Sequence, residues 1–366
     1  MPPASMSKMM TVYMLFEQLR DGQVSLDDEF TVSENAWRKG GAASGGSTMF
    51  LEPNSKVRVE DLIRGIIIQS GNDACIVVAE ALAGTEDAFA EAMTQRGREI
   101  GLTNTTFRNS TGLPHPEHRT TACDLAALAR RSIEDFPEMY RYYAETVFTY
   151  NGIRQTNRNP LLYKDLGADG LKTGHTEEAG YGLTASVRRG DRRLVLVVGG
   201  LESVRARSQE TERLISWGFR EFGNYALFKA GETVEEATVW LGREGAVPLV
   251  VENELVLTLQ RDARREMTVS VVYHGPIPAP IRKGDRIAFL RIEVPGMEAK
   301  EFPWWPAPMF SGWASWAAWG PPCGTSSSAG RSSVVDRKFV RCVWPTPGRT
   351  SGPLATLESI SYLVST

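Results

Sequence analysis

The sequence lacks a hydrophobic run long enough to cross a membrane, and it has few residues suited to metal binding. None of its apolar runs reaches the ~18 residues at which a spanning helix is considered. There are only four histidines, and the four cysteines are far apart and form no C-x-x-C pair: Cys75, Cys123, Cys323 and Cys342. This spacing supports neither a zinc site nor a disulfide-dense fold. We therefore expect no metal ion.

An excess of basic charge is also absent. The 41 Lys and Arg residues are balanced by 44 Asp and Glu, for a formal net charge of -3 and a pI of about 6.0. A nucleic-acid-binding domain is usually clearly basic, so we expect no nucleic-acid partner. At ~150 residues per domain, the 366 residues suffice for two domains and a tail.

Charged residues are scarce in the last part of the chain, residues 302–366. Residues 301–366 hold 8 charged residues, whereas the first 300 residues hold 77. Six of the nine Trp lie here, and residues 303–330 contain no charge. A membrane-interface anchor, a disordered tail and an out-of-frame extension all fit this composition. Pro303, Pro306 and Pro308 would interrupt an anchoring helix, which favours the last two interpretations.

Hydrophobic periodicity predicts an α+β chain. Residues 6–20 form an apolar pattern typical of a helix buried in the middle of a domain. Further helices are predicted over residues 59–69, 73–82, 121–133 and 205–222, and a β-hairpin over 182–187 and 194–198. Residues 226–301 hold short β-branched runs broken by Gly and Pro. We therefore predict a first domain over 1–224 and a β-rich domain over 225–301.

Ser5 and Lys8 bring a hydroxyl and an amine to one face of the predicted buried helix, because residues i and i+3 are neighbours on a helix surface. A lysine that is desolvated and near another cation can lose its proton and act as a base toward the serine. The helix N-terminus also directs N–H groups toward a developing oxyanion. By itself this S-x-x-K pattern is common, and an ordinary helix cap followed by a solvated lysine explains it better.

Ser70 and Asn72 flank Gly71 in the break between two predicted helices. Such a break would bring a second hydroxyl and a carboxamide to one point, the first to relay a proton and the second to orient a substrate. A simple interhelical turn is the alternative, and Ser33-Glu34-Asn35 matches the same S-x-N pattern. The apolar helices on either side favour the match at Ser70.

The run Lys172-Thr173-Gly174-His175-Thr176 is more specific, since K-T-G is roughly tenfold rarer by chance than S-x-x-K. It precedes the predicted hairpin, so we expect it on or beside an edge strand, where Gly174 would let a ligand approach the backbone closely. A cation and hydroxyls on such a strand suit a carboxylate. A solvated strand edge is the alternative.

In the order S-x-x-K, S-x-N, K-T-G, the three patterns are those of penicillin-recognising serine enzymes. Residues 1 to about 300 resemble the low-molecular-mass penicillin-binding proteins, the serine-type D-alanyl-D-alanine carboxypeptidases. The resemblance includes the sequence around the three patterns, Asn157-Arg158-Asn159 and Trp217-Gly218-Phe219-Arg220. It implies a β-lactamase/transpeptidase-like domain, an antiparallel sheet with a helical cluster, followed by a small β-rich domain.

The resemblance also implies a role for each matching residue. Ser5 attacks the carbonyl between the two terminal D-alanines of a peptidoglycan stem peptide, Lys8 takes its proton, and Ser70 passes a proton to the departing D-alanine. The implied substrate-binding residues are Asn72, Lys172, Thr173, Gly174, His175, Thr176, Arg158 and Arg207. Backbone N–H groups of Ser5 and His175 form the oxyanion hole, and an arginine fork matches the terminal carboxylate, with Arg205 competing for that role. β-Lactam antibiotics acylate the same serine as substrate mimics.

Three alternatives remain open at this point: a D,D-endopeptidase, a β-lactamase on the same fold, and an inactive truncated remnant. A class A β-lactamase needs a Glu-held water for deacylation, and no such Glu is identifiable. Family members carry a secretory signal and several sheet strands before the S-x-x-K helix, whereas four residues precede Ser5 here. We therefore expect a truncated chain with no signal peptide and an unpaired sheet edge. The location implied by the family is the periplasm, in peripheral association with the inner membrane.

Two loops complete the sequence predictions. His115 and His118 lie in the Pro-rich run Pro114-His115-Pro116-Glu117-His118, and we interpret both as surface residues without a catalytic role. The glycine-rich residues 40–46 are predicted to form a flexible loop that borders the active site.

Overall fold

The computed structural model describes residues 1–242, 245–251, 253–282, 285, 287–293, 300–306, 334–335 and 360–365. The chain divides into two compact units, Met1–Gly218 with Val343–Thr366, and Phe219–Cys342. The α+β class is confirmed. Most of residues 302–366 lie outside the described residues. The prediction of a disordered or out-of-frame segment falls on this part of the chain.

The first unit is organised around a buried helix. A 3₁₀ turn, Ala4–Ser7, continues into α1, Lys8–Arg20, whose Phe16 is fully buried and packs edge-on against Phe136 and Tyr143. Burying a side chain of this kind contributes roughly 1.5–3 kcal/mol. The other helices are α2 Glu34–Gly40, α3 Val59–Arg64, α4 Asn72–Ala83, α5 Glu86–Glu99, α6 Ala122–Asp135 and α7 Val204–Glu221.

Helix ends follow the sequence signals in most places. Thr121, the first residue of the helix predicted over 121–133, caps α6 by accepting a hydrogen bond from the Asp124 N–H. The helix predicted over 59–69 changes character at Gly65, because α3 continues as a π-helical turn, Gly65–Gln69, that ends at Ser70. Within the described part of the chain, no helix has both the length and the apolar composition that a membrane span requires.

The described strands are, in chain order, β1 Glu29–Thr31, β2 Lys56–Arg58, β3 Val147–Tyr150, β4 Ile153–Thr156, β5 Ala168–Thr176, β6 Gly180–Arg189, β7 Arg192–Leu201, β8 Phe222–Phe228, β9 Thr233–Trp240, β10 Ala246–Val250, β11 Leu255–Gln260, β12 Thr268–Val272, β13 Ile277–Pro278, β14 Ala288–Glu293, β15 Lys300–Pro306, β16 Val334–Val335 and β17 Ile360–Ser365.

The main sheet of the first unit has the strand order β17-β7-β6-β5, with every neighbouring pair antiparallel. The predicted hairpin is confirmed as β6 and β7, and β5 lies at one edge of this described sheet. The expectation of an unpaired sheet edge is wrong for β7. Its residues Leu194–Gly199 pair with β17, which satisfies backbone groups that an open edge would leave to solvent.

The second unit is β-rich. One sheet has the strand order β13-β9-β10-β15-β14-β12-β16, and β8 pairs with β11. Burial alternates along β14, as expected for a strand with one face on the core. The buried core includes Phe228, Leu249, Leu259, Met267, Val269 and Leu290.

Candidate active site

Ser5 lies in the 3₁₀ turn that leads into α1, and the turn is conformationally strained. Ala4, directly before Ser5, has a φ of +49°, in the left-handed region that L-residues other than glycine seldom adopt. Ser70 has a φ of +60° and ends the π-helical turn. Strained backbone of this kind persists only where the surroundings fix it, and it concentrates at functional sites.

Two glycines make room for the Ser5 turn. A Cβ on Gly112 would lie 1.9 Å from the Ala4 carbonyl oxygen, and a Cβ on Gly174 would lie 2.9 Å from the Pro3 carbonyl oxygen. From the sequence, we expected Gly174 to let a ligand approach the backbone. The structure corrects this reason, because the space beside Gly174 is taken by the turn that carries Ser5.

Lys8 is fully buried at the first position of α1. Its Nζ lies 3.0 Å from Ser5 Oγ, 2.8 Å from Asn72 Oδ1 and 2.6 Å from the Thr111 carbonyl oxygen. Burial lowers the pKa of Lys8 to about 8, and the nearby charge of Arg158 acts in the same direction. A neutral amine has two N–H bonds and one lone pair. The two carbonyl-type oxygens can only accept, so the lone pair faces the one neighbour that can donate, the Ser5 hydroxyl.

Thr111 is the participant that the sequence analysis missed. Its carbonyl is fixed by a local network in which Asn109 Oδ1 accepts hydrogen bonds from the Thr111 N–H, the Thr111 hydroxyl and the Gly112 N–H. Glu86 accepts hydrogen bonds from the N–H and hydroxyl of Ser110. A backbone carbonyl leaves no signature in a sequence, so its role could not be predicted. In the structure, the three hydrogen bonds to Asn109 show that this loop is ordered.

Ser70 and Asn72 are both buried, and Asn72 Oδ1 accepts a hydrogen bond from Lys8 Nζ. The Asn72 N–H donates to the Ser47 carbonyl at 2.8 Å, and a Cβ on Gly46 would lie 2.7 Å from Asn72 Nδ2. The glycine-rich segment 40–46 therefore borders the site, as predicted. The adjoining carboxylate of Asp73 accepts hydrogen bonds from Thr48 Oγ1 and from the N–H groups of Met49, Leu51 and Ala74.

Strand β5 carries the second buried lysine. Lys172 is 3% exposed and its Nζ donates to the Thr173 carbonyl at 3.2 Å. Burial, and then the charge of Lys8, hold the pKa of Lys172 well below its ordinary value. Within the described part of the chain, neither lysine forms an ion pair. Simultaneous protonation of both is therefore disfavoured. Further along β5, Thr176 Oγ1 accepts a hydrogen bond from the Ala179 N–H.

Arg207 and not Arg205 faces this strand. Arg207 is 5% exposed, whereas Arg205 is exposed. The Arg207 guanidinium lies 5.7 Å from the centre of the Tyr181 ring, which stacks at 3.9 Å on the ring of His175. Its Nη2 donates to the Arg158 carbonyl at 3.4 Å, and its buried Nε has no hydrogen-bond partner among the described residues. This guanidinium therefore has an N–H group that no described residue uses.

Arg158 lies on the same side of the site. Its Nη1 donates to Ser47 Oγ at 2.5 Å, and burial lowers its pKa, as it does for Arg207. Two lysines and two arginines therefore surround the Ser5 region, and the charge of Arg158 is felt by both lysines. Such a cluster suits an anionic ligand.

The two histidines of the Pro-rich loop differ in environment. His115 is exposed, as predicted. The prediction for His118 is wrong: it is 2% exposed, its Nε2 lies 2.8 Å from Ser7 Oγ, and its ring packs edge-on against Phe107. A polar residue in a Pro-rich run carries no hydrophobic pattern, so its burial could not be read from the sequence.

Comparisons with known proteins agree with this arrangement. The family model for D-alanyl-D-alanine carboxypeptidase matches residues 1–203, and the model for the penicillin-binding protein 5 C-terminal domain matches residues 222–306. D-alanyl-D-alanine carboxypeptidase DacC of Escherichia coli is 40% identical over 82% of this chain and 76% of its own length.

Solved structures are similar as well. Penicillin-binding protein 5 from Haemophilus influenzae has a TM-score of 0.77 and 34% identity over 84% of this chain and 90% of its own. Penicillin-binding protein D2 from Listeria monocytogenes, solved with ampicillin bound, has a TM-score of 0.51 and 28% identity over 60% of this chain and 87% of its own. The protein thus belongs to the D-alanyl-D-alanine carboxypeptidase family.

Proposed function

We propose that this protein is a serine D,D-carboxypeptidase that removes the terminal D-alanine from peptidoglycan stem peptides through an acyl-enzyme on Ser5. The observation that carries the proposal is the buried Lys8 amine, which lies 3.0 Å from Ser5 Oγ while two acceptor oxygens occupy its N–H groups. This is the arrangement that a nucleophilic serine and its general base require. No cofactor is part of the proposal.

Acylation begins when neutral Lys8 takes the hydroxyl proton of Ser5 and Oγ attacks the carbonyl between the two D-alanines. Backbone N–H groups of Ser5 and His175 stabilise the negative oxygen of the tetrahedral intermediate. The C–N bond then breaks, and the Ser70 hydroxyl relays a proton to the amine of the departing D-alanine. Water next attacks the ester, with Lys8 again as base, and the shortened peptide leaves.

The basic residues around Ser5 select the substrate. The terminal D-alanine carries a free carboxylate, which Thr173, Thr176 and the guanidinium groups of Arg158 and Arg207 bind in this proposal. A carboxylate in this position also favours the charged form of Lys172 and thereby leaves Lys8 neutral. Asn72 holds both Lys8 and the substrate amide.

The same site accommodates β-lactams, which present a strained amide and a carboxylate in a similar arrangement. The ampicillin-bound relative from Listeria monocytogenes supports this part of the proposal. We further propose a catalytic domain over residues 1–224, a β-rich domain over 225–301, and action in the periplasm at the surface of the inner membrane.

Incubation with benzylpenicillin is expected to add the mass of one antibiotic molecule to the wild-type protein and none to Ser5→Ala. If D-alanine is released from a pentapeptide faster than penicillin is turned over, the protein is a carboxypeptidase. If penicillin is turned over faster, it is a β-lactamase. Cleavage of a cross-linked dimer would identify an endopeptidase. Absence of an adduct on wild-type protein shown by circular dichroism to be folded would contradict the proposal.

The rate of acylation is expected to depend on the protonation of Lys8. Because only the neutral amine can accept the Ser5 proton, the second-order rate constant with benzylpenicillin should rise with pH up to about 8 and level off above it. The matched control Lys8→Arg keeps the charge at every pH and should not acylate. A rate that is constant between pH 6 and pH 9 would show that Lys8 is not the base.

Arg207 and Arg205 provide a matched pair for testing carboxylate recognition. A charge-assisted hydrogen bond contributes about 1.5–3 kcal/mol, so Arg207→Gln should lower kcat/KM for a D-Ala-D-Ala peptide by roughly 10- to 150-fold. The exposed Arg205→Gln should change it by less than about twofold. Equal effects of the two substitutions would remove Arg207 from the carboxylate site.

A further inference from the structure

His118 connects the turn that carries the nucleophile to the loop that holds its base. Its Nε2 lies 2.8 Å from Ser7 Oγ, and its Nδ1 accepts a hydrogen bond from the Arg108 N–H at 3.3 Å. Ser7 is fully buried and lies between Ser5 and Lys8 in the sequence.

The backbone contact fixes the tautomer of the imidazole. An N–H group can only donate, so Nδ1 of His118 must carry the lone pair and Nε2 must carry the hydrogen. Nε2–H therefore donates to Ser7 Oγ. Burial lowers the pKa of His118 to about 4, which agrees with a neutral ring. The ring is also held edge-on against Phe107, so its direction is fixed on two sides.

The loop and the turn contact each other at several points. The Thr111 carbonyl accepts from Lys8 Nζ at 2.6 Å, and Thr11 Oγ1 donates to the Ser110 carbonyl at 2.7 Å. Gly112 lies so close to the Ala4 carbonyl that no side chain fits between them. These contacts hold the strained residue before Ser5 and the first turns of α1. The bond from His118 reaches Ser7, the last residue of the 3₁₀ turn, directly before Lys8.

We propose that His118 is a positioning residue for the nucleophile. Its Nε2–H group donates a hydrogen bond to Ser7 Oγ and thereby holds the 3₁₀ turn in the conformation that places Ser5 Oγ beside Lys8 Nζ. This inference rests on the proposed function. His118 touches neither the reacting serine nor the substrate, so its effect is on the rate of acylation and not on the binding of the antibiotic. A misplacement of about 1 Å at a reacting centre can cost on the order of 100-fold in rate.

Substituting His118 by glutamine or by asparagine tests which of its two ring nitrogens matters. The amide of His118→Gln reaches the position of Nε2 and can still donate to Ser7, whereas the shorter His118→Asn reaches only the position of Nδ1. Stopped-flow measurements with a fluorescent penicillin give the limiting acylation rate and the preceding dissociation constant separately. The rate constants are taken from the shape of the time course, so that an unfolded fraction lowers the amplitude and does not count as slow chemistry.

We expect His118→Gln to acylate within about threefold of the wild type and His118→Asn to be slower by roughly 10- to 100-fold, with unchanged dissociation constants. Ser7→Ala removes the acceptor and should slow acylation similarly, and adding His118→Asn to it should cost little more, because the two residues act as a unit. Ser7→Ala alone also tests the contact should His118→Asn fail to fold.

Equal acylation rates for His118→Asn, His118→Gln and the wild type would overturn the positioning role and leave the proposed function intact. Additive losses in the double variant would also contradict it. Failure of the folded wild-type protein to acylate would instead overturn the proposed function, and this inference with it.

Discussion

A buried amine determines the arrangement of the catalytic region. Lys8 Nζ is within 3.0 Å of three oxygens that come from three different segments: the turn before α1, the start of α4 and the loop before α6. An ammonium group in this position would lose several kcal/mol of hydration, with no ion pair among the described residues to compensate. This cost lowers the pKa of Lys8 to about 8, so the neutral amine becomes available near that pH, and its lone pair then points at the Ser5 hydroxyl. Burial thus produces the base and aligns it with the nucleophile.

The surroundings keep this contact in place at some cost to local backbone stability. Ala4 and Ser70 both adopt positive φ values, which persist because neighbouring segments leave no alternative. Gly112 and Gly174 let those segments approach to a distance that any side chain would prevent. Four basic side chains collect here, and no carboxylate of the described residues is bonded to either lysine, so an anionic substrate relieves repulsion that the free enzyme carries.

The sequence allowed the fold class and the central chemical groups to be predicted because both depend on local patterns. The apolar run of α1, the Thr121 cap and the hairpin of β6 and β7 all appear as periodicity or as capping residues. The Thr111 carbonyl could not be predicted, since backbone atoms have no residue type. The burial of His118 and the reason for Gly174 depend on contacts between distant segments, and no local pattern encodes them. The pairing of β17 with β7 also joins distant segments and could not be predicted from a local pattern.

The most direct test of this account is a titration of Lys8 itself. Carbon-13 labelling of lysine Cε, with the Lys8 signal assigned from its loss in Lys8→Arg, follows protonation by NMR in the free protein. We predict a midpoint near 8, well below the ordinary lysine value of 10.5. A midpoint at or above 10.5 would mean that burial does not favour the neutral amine, and that another group must take the proton from Ser5.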